Sequence, residues 1–515
     1  MDTKALRQKI LDLAIRGKLV PQDPNDEPAE VLLERIREQK QQMFKEGKLK
    51  KKDIKNDTII FKGEDNLHYE KFQDGTVKCI EDEIPFEVPE GWAWCKLNDI
   101  YNFIDYRGAT PTKITNGIPL VTAKNVKSGY IDYTIDDYIS EEEFKERQQR
   151  GISKKGDILF TTEAPLGNAA LADMEKFSAG QRLITFQQYG SKNELINYVM
   201  LMFILSDFFQ QQLYVNKTGS TVAGIKAAIL KTLWIPVPPY NEQLRISNTL
   251  KSAINLIDSI SKNKEILSTS ISNTKSKILD LAIRGKIVPQ DPNDEPASVL
   301  LERIRAEKEE LIKQGKIKRD KKESVIFKGD DNSYYGIHLP DSWNWASLRE
   351  IALSISDGSH NPPPNNGSGI PLLSAANIND NSILMNEISR WITNEEWKIE
   401  NQRTNIEVGD VLLTIVGSIG RSAVVQNNNH FALQRSVAVI KPCLINPLYL
   451  MHIVQSPQIQ KWLTDNSKGT AQKGIYLNAL SLMIIPIPPL AEQARIVEHI
   501  HIAYKHLDLI SNALL

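Results

Sequence analysis

KILDLAIRGKLVPQDPNDEPAEVLLERIR, from Lys9 to Arg37, returns at Lys277 to Arg305 as KILDLAIRGKIVPQDPNDEPASVLLERIR, changed only at Leu19/Ile287 and Glu30/Ser298. Fainter echoes follow in the same order. VPEGWAWCKLNDI (Val88 to Ile100) answers LPDSWNWASLREI (Leu339 to Ile351), GIPLVTAKNV (Gly117 to Val126) answers GIPLLSAANI (Gly369 to Ile378), and IPVPPYNEQLRI (Ile235 to Ile246) answers IPIPPLAEQARI (Ile485 to Ile496). The chain is two copies of one unit. Between the landmarks the copies differ widely, as expected of a protein that meets one kind of partner twice and two different targets once each.

The chain has 515 residues, which the duplication divides into two globular stretches plus connectors. Each stretch is long enough to bury its own core. No run approaches the roughly 18 apolar residues of a membrane span, and the start, MDTKALRQKI, has a charged helical pattern rather than that of a signal peptide. Three cysteines, Cys79, Cys95 and Cys443, without metal-ligand spacing, imply a reducing cytoplasm. Net charge is −1, yet Arg35 to Lys55 and Arg303 to Lys322 are basic. Such runs read either as solvated helix faces or as phosphate-facing patches.

From Ile246 the apolar positions step by alternating four and three, through Leu250, Ala253, Ile257, Ile260, Leu267, Ile271, Ile278 and Leu281, broken only at Lys264 and Thr274. This predicts a helix from about Glu242 to Arg284, preceded by Pro238 and Pro239, stopped at Gly285, and roughly 60 Å long at 1.5 Å per residue. The C-terminus repeats the phase at Ile496, Ile500, Ala503, Leu507, Ile510 and Leu514, and the N-terminus resumes it at Leu6, Ile10 and Leu13. The termini together rebuild the central helix, short of a few residues. The expected arrangement is circular, with two equivalent rods lying antiparallel and supplying each other's burial. A turn-rich GK(L/I)VPQDPNDEP linker follows each rod, then a second helix, Ala29 to about Lys45 or Ala297 to about Lys313, with Val299, Leu300, Ile304 and Leu311 on one face. That face either packs on the chain itself or is one binding surface presented twice.

Runs such as DILFTT (Asp157 to Thr162), RLITF, DVLLTIV (Asp410 to Val416) and SVAVI predict strands, and Asn193 to Leu213 and Asn446 to Leu463 predict one or two helices each. The fold class is α+β: two pseudo-symmetric mixed α/β domains joined by long antiparallel coiled-coil helices in a circularly arranged tandem repeat. The expected divisions are a helical segment over 1–60, a first domain over 81–235, a helical spacer over 236–325, a second domain over 330–487 and a closing helix over 488–515.

Catalytic chemistry is hard to find. PVPPY (Pro236 to Tyr240) approaches the Asn/Asp-Pro-Pro-Tyr signature of amino-methyltransferases, but Val237 stands where a side chain must hydrogen-bond the target amine, and IPIPPL loses the aromatic too. There is no Gly-rich cofactor loop, Walker loop or zinc spacing, and His499 and His501 point to different helix faces. The expectation is a non-enzyme without a cofactor or metal of its own. What remains is a set of Gly- and polar-rich loops suited to a DNA duplex. Gly admits close backbone approach, Lys and Arg neutralise phosphate, and Arg, Asn and Gln make paired bonds to base edges. The first half offers Arg107, Lys113, Lys124, Asn125, Asn168, Arg182, Lys217, Thr218 and Ser220. The second offers His360, Asn377, Ser418, Arg421, Gln434, Arg435, Lys468, Thr470, Gln472 and Lys473.

The LDLAIRGKLVPQDPNDEPA segment, the paired GIPL and IPxPPxxEQxRI landmarks and the two variable halves closely resemble the specificity subunit of type I restriction-modification systems, over essentially the whole chain. The resemblance implies two target-recognition domains that each read one half of a bipartite, asymmetric DNA sequence, with helices that space them and dock two modification (methyltransferase) subunits. S-adenosylmethionine is then expected on those subunits, and ATP and magnesium on translocating restriction subunits. Two rival readings are a DNA-binding protein serving another effector and a coiled-coil scaffold binding protein only.

Overall fold

The computed structural model describes residues 2–55, 57–106, 110–134, 137–148, 151–190, 193–219, 223–319, 333–469 and 473–514. They form two compact units, 1–263 and 264–515. The frame of each is helical: α1 (Thr3–Ile15), α2 (Ala29–Lys45) and the first part of α3 (Tyr240–Ile283) in the first unit, and the rest of α3, α4 (Ala297–Lys313) and α5 (Leu490–Ala513) in the second.

The duplicated letters first act locally, by stopping a helix. Gly17 stands at φ +65° just past α1, with Gly17 N–H donating to the Ala14 carbonyl and Lys18 N–H to the Leu13 carbonyl at 2.8 Å, the bond pattern of a left-handed glycine cap. Gly285 repeats this after α3, and Lys286 N–H reaches the Leu281 carbonyl at 2.9 Å. A Cβ on Gly17 would lie 2.3 Å from Pro89 Cγ, and one on Gly285 2.5 Å from Pro340 Cγ, so the turn also seats the chain against the VPEGW and LPDSW landmarks.

Two landmarks far apart in sequence then hold each other. In the first unit Glu242, 1% exposed, accepts from Gln22 Nε2 and from the Trp92 indole N–H, each at 2.8 Å. Arg245 reaches Asp26 at 2.5 Å. Gln243, buried between them, accepts from Ile196 N–H at 2.8 Å and donates to the Pro238 carbonyl at 3.0 Å. In the second unit Glu492 accepts from Gln290 (2.5 Å) and Trp343 (2.9 Å), Arg495 reaches Asp294 (2.5 Å), and Gln493 joins Asn446 N–H and the Pro488 carbonyl. The QDPND linker and the EQxR motif are therefore the two faces of one clasp. Burial raises the Glu242 and Glu492 carboxyls above their ordinary pKa, partly offset by the donors they accept.

Each clasp sets an antiparallel helix pair. Arg7 of α1 pairs with Asp258 of α3, and Lys275 of α3 pairs with Asp508 of α5 at 2.5 Å, with the Tyr504 hydroxyl donating to the Lys275 carbonyl. Ile246, Leu250 and Ile257 of the expected seam are buried, as are Ile271, Ile496 and Ile500. The seam is not buried throughout. Leu267 is 39% exposed and Ile266 53% exposed, because in this register α1 is exhausted near Lys262 and α5 near Ser270. As for the second helix, Leu300 and Ile304 of α4 are buried in their own unit's core, as are Leu32 and Ile36 of α2, while Val299 is exposed, so that face packs on the chain itself only in part.

Each globular half carries the same four-stranded antiparallel sheet. In the first, β1 (Tyr101–Asp105), β2 (Ile158–Thr162), β3 (Leu166–Leu171) and β4 (Leu183–Gln188) lie in the order β1-β4-β2-β3. In the second, β5 (Ala352–Asp357), β6 (Val411–Thr414), β7 (Ser422–Val424) and β8 (Val437–Pro442) lie in the order β5-β8-β6-β7. Residues alternate between faces. Ile158, Phe160, Ile184 and Phe186 join the helical core, while Leu159 and Leu183 join a second cluster with Val121, Val126 and Phe177. A three-stranded sheet over Ile59–Lys62, His68–Lys71 and Val77–Cys79 occupies a stretch of the first unit that the sequence pattern left largely unassigned.

One core difference has a pH signature. His452 is 7% exposed, and burial lowers its pKa from 6.5 to about 4, with His501 acting in the same direction. The repeat places Met202 at the matching position of the first unit. The unfolded chain takes up the proton near pH 6.5 and the native state resists it, so this group's stabilisation is intact above pH 6.5 and is lost as pH falls toward 4. His452→Met is expected to remove that loss, up to about 3 kcal/mol for a shift of this size. Urea melts of both proteins at pH 7 and 4.5 check it, and parallel losses in the two proteins would refute it.

Candidate nucleic-acid interface

The loops singled out in the sequence converge at one end of each sheet. In the first half the turn after Ser178–Ala179 is the meeting point. Gly180 N–H donates to the Val121 carbonyl at 2.7 Å, and Thr162 N–H and hydroxyl both reach the Arg182 carbonyl, at 2.9 and 3.2 Å. The Gln181 side chain bonds Thr110, and Ile225 N–H donates to the Thr162 carbonyl at 3.0 Å. Segments near residues 110, 122, 162, 180 and 225 are thereby tied together.

The second half repeats the pattern. Gln434 N–H donates to the Leu373 carbonyl (2.8 Å), Ile415 N–H to the Ser436 carbonyl (2.9 Å), and Ile475 N–H to the Ile415 carbonyl (2.9 Å). Ser359 and Leu433–Arg435 exchange two further main-chain bonds, and Gly417 N–H reaches the Lys473 carbonyl at 3.1 Å. Three main-chain bonds correspond between the halves, those of Gly180 and Gln434, of Thr162 and Ile415, and of Ile225 and Ile475, and the side chains around them differ.

Both halves match one known family. The family model described as Type I restriction modification DNA specificity domain matches residues 89–268 and again 340–514. The chain belongs to that family. The type I restriction enzyme EcoEI specificity subunit of Escherichia coli is 28% identical over 99% of this chain and 90% of that protein, and the EcoAI specificity subunit of Escherichia coli is 30% identical over 73% and 67%. A chain solved in work on complex assembly and conformational transition of the type I R-M system shares the fold at TM-score 0.55 and 18% identity, over 84% of this chain and 94% of that one.

As a specificity subunit, the chain displays some of the expected side chains and spends others on its own fold. Asn125 and Asn377, each 3% exposed, are corrections to the expected interface. The Asn125 amide oxygen accepts from Thr122 N–H and hydroxyl and its NH2 donates to the Asp132 carbonyl; Asn377 does the same with Ser374 and Glu387. Both asparagines staple a turn and have no free edge for a base. Asn168 is likewise occupied, its NH2 donating to the Val126 carbonyl at 3.0 Å.

Lys113 pairs with Asp137 at 2.6 Å, Arg182 with Glu163 at 3.1 Å, and Lys217 Nζ lies 3.6 Å above the Tyr214 ring. Lys124, Arg421, Arg435, Lys468 and Lys473 are exposed, as are Thr218 and Ser418. Thr218 bonds Gly224 through the main chain, and Lys468 bonds Gly474 in the same way. Gln434 is half-buried, and His360 bonds Asp357 at 2.8 Å. Arg107, Ser220, Thr470 and Gln472 lie outside the described residues.

Sequence reasoning missed Arg403. It sits near the end of the helix Asn394–Thr404, not in a loop, where Nε donates to the Asp357 carbonyl at 2.9 Å and Nη2 pairs with the Asp357 carboxylate beside His360. Asp357 is 6% exposed, whereas the Arg403 side chain is 51% exposed, so a buried carboxylate holds a guanidinium at the rim of the loop cluster. Its signal was the recurrence of Gln149-Arg150 as Gln402-Arg403, nine residues after Ser140 in one half and after Thr393 in the other.

Proposed function

We propose that each globular half reads one part of a bipartite, asymmetric DNA site with the loop end of its sheet, and that the helices dock two modification subunits. The observation that carries this is the matched main-chain frame bearing different side chains: a shared frame suits a shared duplex backbone, and divergent side chains suit different bases. Lys113, Lys124, Arg182, Lys217 and Thr218 are the proposed contacts of the first half. His360, Ser418, Arg421, Gln434, Arg435, Lys468 and Lys473 are those of the second, joined by Arg403.

Exposed apolar residues on the helices support docking, among them Leu256 at 62%, Ile502 at 47% and Leu509 at 58% exposure. In this reading S-adenosylmethionine belongs to the modification subunits, and ATP and magnesium to restriction subunits. The complex works in the cytoplasm, and extrusion of the target adenine falls to the methyltransferase. A map of N6-methyladenine in cells with and without the gene tests the proposal. One bipartite, asymmetric motif should vanish with the gene; an unchanged map with an active partner methyltransferase would refute it.

A further inference from the structure

The turn at the centre of each loop cluster has a feature that comparison of letters conceals. Both turns contain Gln-Arg, Gln181-Arg182 in the first half and Gln434-Arg435 in the second. The hydrogen bonds set a different correspondence. Gly180 and Gln434 both donate to the strand that carries the GIPL landmark, at Val121 and Leu373, while the Arg182 and Ser436 carbonyls both accept from the strand at Thr162 and Ile415. Gly180 thus matches Gln434, Gln181 matches Arg435, and Arg182 matches Ser436. The arginine stands one residue earlier in the second half than in the first.

The turn is also anchored through its main chain. Its main chain bonds neighbouring segments on both sides, with Ala375 N–H donating to Ser436 Oγ at 3.0 Å as an added brace in the second half. Arg182 holds φ +65°, a left-handed conformation that a side chain rarely adopts, and Glu163 fixes its guanidinium while the side chain stays 55% exposed. Arg435 is exposed and its main-chain N–H is tied to the Ser359 carbonyl at 2.9 Å. A rigid platform that presents one forked donor is what bidentate reading of a base edge requires, and the guanine O6/N7 edge is the partner an arginine fork fits.

We propose that these turns are the base-reading elements of the two halves, with Arg182 and Arg435 each directed at a guanine of its own half-site. The inference rests on the reading of the loop ends as DNA-facing. Residues around the turns, Arg403 among them, then position the duplex rather than read it.

The test uses the full chain produced with its methyltransferase, and maps N6-methyladenine for the wild type, Arg182→Ala, Arg435→Ala and Arg435→Lys. Thermal melts confirm that the variants fold. Arg435→Ala should relax preference for guanine at one position of one half-site by about tenfold to a hundredfold, with the other half-site unchanged. Arg182→Ala should do the same in the other half-site. Arg435→Lys keeps the charge but not the fork, and should follow Arg435→Ala. Unaltered motifs, an even fall in methylation across all positions, full discrimination by Arg435→Lys, or both alanine variants acting on one half-site would each overturn the inference. A wild-type map with no motif dependent on this chain would instead remove the reading beneath it.

Discussion

Replacing Glu242 by alanine is expected to destabilise the first unit by about 3 kcal/mol, and Glu492→Ala to do the same in the second. The carboxylate joins the QDPND linker to the globular half through two donors, Gln22 and the Trp92 indole. Without it the buried indole N–H has no acceptor, whereas Gln22 retains the Gly17 carbonyl at 2.8 Å. Relief of the cost of burying the carboxylate offsets part of the loss. Glu242→Gln leaves an amide oxygen for one donor and should cost about 1 kcal/mol, near the net contribution of one hydrogen bond. Hydrogen exchange resolves the two units, since amide protection should fall across 1–263 in Glu242→Ala and across 264–515 in Glu492→Ala. Equal loss of protection in both units from either variant would show that the clasp does not act locally.

Seven residues inserted in register near Lys264 are expected to abolish methylation at the native spacing while leaving the bases of both half-sites unchanged. From Ser261 to Ser270 every residue of α3 except Lys264 is exposed, so an added heptad there disturbs neither unit's core. It lengthens the helix by about 10 Å, or about three base pairs of duplex at 3.4 Å each. Methylation mapping should recover the same half-sites at a longer spacing or none at the original one. Altered base preference with unaltered spacing would contradict the assignment of spacing to the helix.

The frame was legible because near-identical letters fix local structure. Helices Ala29–Lys45 and Ala297–Lys313 and the stop at Gly285 follow from proline, glycine and apolar spacing, which act within a turn or two of chain. Leu267 was misread as buried because heptad phase states which face a residue occupies, not where the partner helix ends. The interface was legible only as a set of loops. Asn125 and Asn377 carry side chains that suit base edges equally well as they suit stapling a turn, and only the burial of their amides separates the two uses. Arg403 escaped notice because it lies on a helix, and its role depends on Asp357, forty-six residues away. Each half has a Gln-Arg dipeptide in its central turn, and only strand pairing shows that the two stand one residue apart.

The most direct test of two independent readers is a chain whose residues 344–487 are replaced by a second copy of 93–237. Both segments begin and end in the same two-stranded ladder, with Ala93 opposite Val237 and Asn344 opposite Ile487, so the graft enters and leaves at one place. N6-methyladenine mapping of this chimera with its methyltransferase should show the first half-site in both positions of the motif and no trace of the second. Persistence of the original asymmetric motif, or of the second half-site alone, would contradict the assignment of one half-site to each half.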